Sequence, residues 1–157
     1  MAIPIPEKRV AEFEKFGFGM FIHWGLYSQM GQGEWIQHMK QIPGEEYQKL
    51  QQTFTASKFD AHKIAETAKA AGAKYITLTT RHHEGFSLFD TKGLNTYDAP
   101  HSPVGRDLIR EYVDACNDVG IVPFFYHTTL DWYDPRFNND FKAYLQYLRD
   151  SVEILCS

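Results

Sequence analysis

"FDAHKIAETAKAAGAKYITLTT", residues Phe59 to Thr80, decides the fold. Asp60 offers a carboxylate where the first N–H groups of a helix lack partners, so it reads as the cap. Ala61, Ile64, Ala65, Ala68 and Ala71 recur at helical spacing and make one apolar face. Gly72 supplies the left-handed residue that ends such a helix. Tyr75 to Thr80 is then a short apolar run rich in β-branched residues, the pattern of a buried strand.

The plan returns in "VGRDLIREYVDACNDVGIVPFFYH", Val104 to His127. Leu108, Ile109, Tyr112, Val113 and Cys116 form the stripe, Gly120 is the stop, and Ile121 to Tyr126 is the strand. The two stretches are an internal repeat of helix, glycine, strand and polar loop. Upstream, "GMFIHWG" predicts a strand over Gly19–Trp24, and a helix is expected over Gly44–Gln52 after Pro43. Downstream, Phe141, Tyr144, Leu145, Leu148, Val152 and Leu155 form the stripe of a last helix, with Asn138 or Asn139 as its expected cap. Pro123 removes an N–H from the third strand, least costly near its start.

Strands alternating with helices predict an α/β protein with a parallel sheet. No glycine-rich phosphate-binding loop is present, which lowers a nucleotide-binding reading. A barrel remains, and a complete one takes about 250 residues. The chain has 157 residues and about three strand–helix units, so the expected fold is a partial TIM-type (β/α) barrel, a half-barrel of parallel strands.

Composition removes other classes. With 43% hydrophobic and 15% aromatic residues, the chain can build a core and bury roughly 70% of its unfolded surface. A net charge of −4 with no basic stripe argues against nucleic acid. No run reaches the roughly 18 apolar residues of a membrane span, and the start lacks the apolar core of a secretory signal. Cys116 and Cys156 are expected to be free thiols, which suits a cytoplasmic location.

In barrels and open α/β sheets, sites form beyond the carboxyl ends of the strands. His23 and Trp24 stand at the first such end. Arg81, His82, His83 and Glu84 stand at the second, and Tyr126 and His127 at the third, with Asp131 and Trp132 close behind. The loop after the first strand adds Glu34 and Trp35. Imidazoles and carboxylates hydrogen-bond hydroxyls in fixed directions, and aromatic rings pack on the apolar face of a sugar. Arg81 is expected to pair with a scaffold carboxylate, Trp24 to pack, and His38, His62 and His101 to lie on surfaces or loops. Three imidazoles, His23, His82 and His127, raise the alternative of a zinc site, but no H-x-H or H-E-x-x-H spacing fixes two ligands locally. Neither metal nor cofactor is expected.

"FGMFIHWGLYS" (Phe18–Ser28), "GEWIQH" (Gly33–His38), "RHHEGFSLFDT" (Arg81–Thr91) and the Val104–His127 block resemble the N-terminal part of the catalytic domain of α-L-fucosidases, glycoside hydrolase family 29. The resemblance runs from about Phe16 to the end. It implies that residues 1–157 are the N-terminal portion of a (β/α)8-like catalytic domain that hydrolyses terminal α-L-fucose with retention. It further implies that His23, Glu34, Trp35, His82, His83 and Tyr126 bind the sugar. At the third strand the family more often reads Tyr-Tyr-Ser, where this chain has Phe125-Tyr126-His127. The family's nucleophilic aspartate lies on the strand after the helix that ends this chain, so it is expected beyond Ser157, and the acid/base lies further on. No catalytic carboxylate is therefore expected within the chain. Two other readings stand beside the interrupted enzyme: a half-barrel that binds fucose or another deoxysugar without cleaving it, and a metal-dependent barrel hydrolase. A half-barrel leaves two open sheet edges, so a dimer is expected.

Overall fold

The computed structural model describes residues 7–157; the reading of the chain's first residues falls partly on residues 1–6, outside that range. In chain order the elements are α1 (Lys8–Glu14), β1 (Gly19–Ile22), α2 (Ile36–Met39), α3 (Gly44–Tyr47), α4 (Ala61–Ala70), β2 (Tyr75–Arg81), α5 (Leu108–Val119), β3 (Val122–His127), α6 (Arg136–Asn139) and α7 (Phe141–Leu155). Short 3-10 turns cover Leu26–Gln29 and Gln48–Thr53.

The three strands form one parallel sheet in the order β1-β2-β3, with Gly19 beside Tyr75 and Tyr75 beside Val122. Capping explains the two long crossover helices. Asp60 accepts from Lys63 N–H at 2.9 Å, and Asp107 accepts from Ile109 and Arg110 N–H at 3.0 and 2.8 Å. Gly120 closes α5 at φ 75°, a conformation in which a Cβ would be strained. One face of the sheet carries Ile76 and Leu78 into a core with Ala65, Ala68, Leu108, Tyr112 and Cys116. The Tyr112 hydroxyl donates to the Ile76 carbonyl at 2.7 Å, which ties α5 to β2 from within that core.

On the opposite face, Phe13 and Phe16 pack edge-on and tilted against Tyr75 and Phe124, with ring centroids 5.1–6.3 Å apart across the cluster. This aromatic plug covers the end where the strands begin. The end where they finish is left for the rim residues.

Several expectations are corrected. β1 stops at Ile22, two residues early, because Thr79 intercepts Trp24: its hydroxyl accepts from Trp24 N–H at 3.0 Å and donates to Trp24 C=O at 2.8 Å. The Gly44–Gln52 helix is one α-turn followed by a 3-10 segment. α7 is capped by Asp140, which accepts from Ala143 N–H at 3.1 Å, while Asn138 and Asn139 end the short α6. Helix α1 has no side-chain cap and is held by Phe13 instead. Pro123 lies second in β3, whose outer side is unpaired among the described residues, so its missing N–H costs little.

Candidate functional site

One irregularity in the sheet sets the rim. Thr79 pairs with Tyr126, but Arg81 pairs with His127, so β2 has one extra residue there. A bulge of this kind shifts the in–out alternation of side chains by one. Thr80 hydrogen-bonds His127 on the helix side, and Arg81 follows it there toward α7. His82 is thereby turned to the opposite face, where it is 3% exposed. Two adjacent histidines follow the bulge because the strand's phase has already been reset.

Arg81 shows why that phase matters. Its guanidinium is buried, 3.4 Å from Asp131 Oδ2, 5.2 Å above the Tyr147 ring, and donates to the Thr128 carbonyl and the Tyr144 hydroxyl. Asp131 Oδ1 also accepts from the Tyr133 and Asp134 N–H groups at 2.8 Å. This scaffold pair, anticipated for Arg81, fixes the loop that carries Trp132.

On the open face the rings form a continuous chain. His23 lies 5.6 Å from His82 and 5.7 Å from Tyr126, and Phe21 stacks beneath it at 4.9 Å. His82 lies 5.8 Å from Tyr126 and 4.1 Å from His83. His83 in turn lies 5.3 Å from Trp35 and 5.2 Å from Trp132. Glu34, half-buried, acts on His23 and His83 through its charge. His23, Glu34, Trp35, His82, His83 and Tyr126 thus lie along one rim.

The chain does not gather every residue of interest there. His127 turns the other way: its Nδ1 is 2.9 Å from Thr80 Oγ1 and its Nε2 is 3.2 Å from Ser151 Oγ on α7. It therefore cannot join His23 and His82, and no cluster suited to a metal occurs among the described residues. Trp24 stacks on Phe59 at 4.8 Å and is packing. His38, read as a loop residue, is exposed yet stacks at 5.5 Å on Trp132. Ser157, the residue beyond which the nucleophilic aspartate is expected, has no place in the rim. It is exposed just past α7, and its hydroxyl donates to the Ile154 carbonyl at 2.9 Å. The cleft it borders is a separate one, shared with Phe89, Arg110 and Phe125. A cavity of about 560 Å³ opens beside β1, lined by Ile22, Trp24, Phe54, Phe59 and Ile64, and meets the rim only through His23. Tyr27, buried 5.4 Å from His82, and Thr128, which bonds His83, were not singled out in the sequence. Thr128 directly follows β3, but neither residue is of a type that marks a site by itself, and their partners are distant in sequence.

Burial favours the neutral form of two of the rim imidazoles, His83 and His23. Burial lowers His83 to about 4, with His82 pushing the same way and the Leu130 carbonyl and Glu34 opposing. Burial also lowers His23, against the pull of Glu34. Neutral rings, a phenol and indoles at the carboxyl ends of parallel strands suit a polyhydroxylated ligand, because each ring offers a directed polar atom beside an apolar face.

Comparison with known proteins identifies the family. A family model described as alpha-L-fucosidase matches residues 6–150. The plasma α-L-fucosidase of Homo sapiens is 33% identical over 147 residues, 83% of this chain and 32% of that one. An α-L-fucosidase structure from Bacteroides thetaiotaomicron superposes with a TM-score of 0.89 at 32% identity, covering 96% of this chain and 38% of that one. The α-L-fucosidase of Lactobacillus casei, solved in complex with α-L-fucose product, gives 0.75 at 37% identity, covering 83% and 44%. The chain belongs to the α-L-fucosidase family. It spans about a third of the length of the curated relatives it matches.

Proposed function

We propose that this chain is the glycone-recognising part of a retaining α-L-fucosidase, an arc of a (β/α)8-like barrel whose rim binds terminal α-L-fucose of a glycan or oligosaccharide. The observation that carries the reading is the unbroken chain of rings from His23 through His82 and His83 to Trp35, with Tyr126 beside it. His23, His82, His83, Glu34 and Tyr126 bind hydroxyls. Trp35, 40% exposed, offers its face to an apolar side of the sugar.

Retaining hydrolysis needs two carboxyl groups roughly 5–5.5 Å apart, one nucleophile and one acid/base. Glu84 and Asp131 are buried against His82 and Arg81, and neither is free to attack an anomeric carbon. The family resemblance puts the reacting pair beyond Ser157, and binding contacts alone do not lower the covalent barrier. Calorimetric titration of the 157-residue chain with fucose tests the reading. Saturable binding that falls at least tenfold in His83→Ala and Trp35→Ala is expected, with no turnover of an aryl α-L-fucoside. Absence of binding by the folded chain overturns the reading; robust turnover overturns the assignment of the carboxylates.

A further inference from the structure

Beneath the rim, two groups that touch no open space hold the adjacent histidines. Glu84 is fully enclosed, and its Oε2 lies 3.3 Å from His82 Nδ1. Both atoms are buried and neither makes a hydrogen bond, so each has this ion-pair contact alone, and the phenols of Tyr27, Tyr47 and Tyr97 are near enough to feel the carboxyl group's charge. Gly85 shapes this corner. A Cβ there would lie 2.6 Å from Tyr133 Cβ, so only glycine lets the chain turn directly after Glu84.

The second group is Thr128. Its hydroxyl has one proton, which goes to the Leu130 carbonyl at 2.8 Å, since a carbonyl can only accept. The 2.6 Å contact from Thr128 Oγ1 to His83 Nδ1 must then take its proton from the ring. His83 is fixed as the Nδ1–H tautomer, and its Nε2 bears the lone pair. A carboxylate at Glu84 imposes the same choice on His82, because an anion accepts and does not donate.

We propose that Glu84 and Thr128 are positioning residues that lock His82 and His83 in the same tautomer, so that the rim presents two Nε2 acceptors side by side. With ring centroids 4.1 Å apart, the pair selects a ligand that donates two neighbouring hydroxyl protons, a vicinal diol. The ligand class rests on the sugar-binding reading above; the tautomers do not. Second-shell groups that orient imidazoles in this way are a general device of polar sites. Burial pushes the Glu84 carboxyl up while the His82 N–H draws it back down, so the carboxylate depends on that contact.

Two-bond proton–nitrogen NMR spectra of the histidine-labelled chain at neutral pH test the proposal, with ring signals assigned from His82→Gln and His83→Gln. Both rings are expected to show a protonated Nδ1 and a bare Nε2. Thr128→Val shifts His83 toward the other tautomer and leaves His82 alone, and Thr128→Ser restores it. Glu84→Met shifts His82, and Glu84→Gln, whose amide oxygen still accepts, preserves it. In fucose titrations the Val and Met variants lose at least tenfold in affinity, while the Ser and Gln variants stay within about threefold. An Nε2–H ring at either position in the unmodified chain overturns the proposal, and at His82 it marks Glu84 as a carboxylic acid that donates. So do tautomers that Thr128→Val leaves unmoved. Spectra as expected in a chain that binds no fucose sustain the positioning and refute the functional reading instead.

Discussion

At the scale of single residues, the strongest commitments are buried charges. The Arg81 and Asp131 side chains are 0% and 1% exposed, so each neutralises a partner that water cannot reach. Removing one charge leaves the other uncompensated, at a cost of about 3–5 kcal/mol. Asp131→Asn keeps the acceptor for the Tyr133 and Asp134 N–H groups and removes only the charge. It is expected to lower urea stability by about that amount, and a loss below about 1 kcal/mol would show that Tyr144, Tyr147 and Thr128 suffice for Arg81. His83 gives a second prediction. Its acceptor role requires the neutral ring, and its pKa is held at about 4. Fucose affinity is therefore expected to stay level from pH 7 to about 5 and to fall as the pH drops through about 4. A fall centred near 6.5 would mean that His83 titrates as an exposed imidazole does.

Among elements, the recurring device is a threonine relay between strand and neighbour. Thr80 donates to the Tyr126 carbonyl and accepts from His127 Nδ1–H, and His127 Nε2 accepts from Ser151 on α7. β2, β3 and α7 are joined through one neutral imidazole. Burial, with Arg81 adding to it, lowers His127 to about 3, whereas an unfolded chain holds it near 6.5. The unfolded state thus binds the extra proton first. The stability that the neutral ring permits is complete above about pH 6.5 and is lost as the pH falls through about 3. His127→Gln, which keeps hydrogen-bonding groups without a titrating ring, should flatten the acid limb of a pH–stability curve; an unchanged slope would rule the clamp out as its origin. For α5, Asp107 satisfies two helix N–H groups and also the Asp90 N–H at 3.0 Å. Asp107→Ala is expected to cost about 1–2 kcal/mol in thermal or urea unfolding.

Across the whole molecule, the open face and edges matter most. β1 and β3 each pair on one side only among the described residues. Phe18, Phe21 and Trp35 are 56%, 55% and 40% exposed, and Phe141 and Val152 stand out on α7. Unpaired edges and apolar surface favour association, and a two-fold pair is the commonest outcome. Sedimentation of the chain at micromolar concentration should show a concentration-dependent dimer, weakened by Phe21→Ser. A monomer at all concentrations would set this expectation aside.

The sequence by itself determined the three parallel strands, the two capped crossover helices and the residues at each strand end. These follow from periodicity, a capping aspartate and a glycine stop, all signals confined to a few neighbouring residues. The scaffold role of Arg81 and the packing role of Trp24 were legible for the same reason, since a charge or indole beside a buried strand has few options. Only the tertiary structure decided which way each rim residue faces. The extra residue at Thr80 reverses the alternation, and nothing in "TLTTRHH" marks it, because a bulge is defined by the register of the partner strand. His127 therefore looked like a rim residue and is a clamp. Asp140 took the α7 cap from its asparagine neighbours because α6 had already absorbed them. Glu84 and Thr128 came to sit beneath the histidines through contacts with Tyr27, Tyr47, Tyr97 and Leu130, partners that no local pattern can name. Buried polar groups must find partners wherever the fold brings them, and that pairing belongs to the folded chain alone.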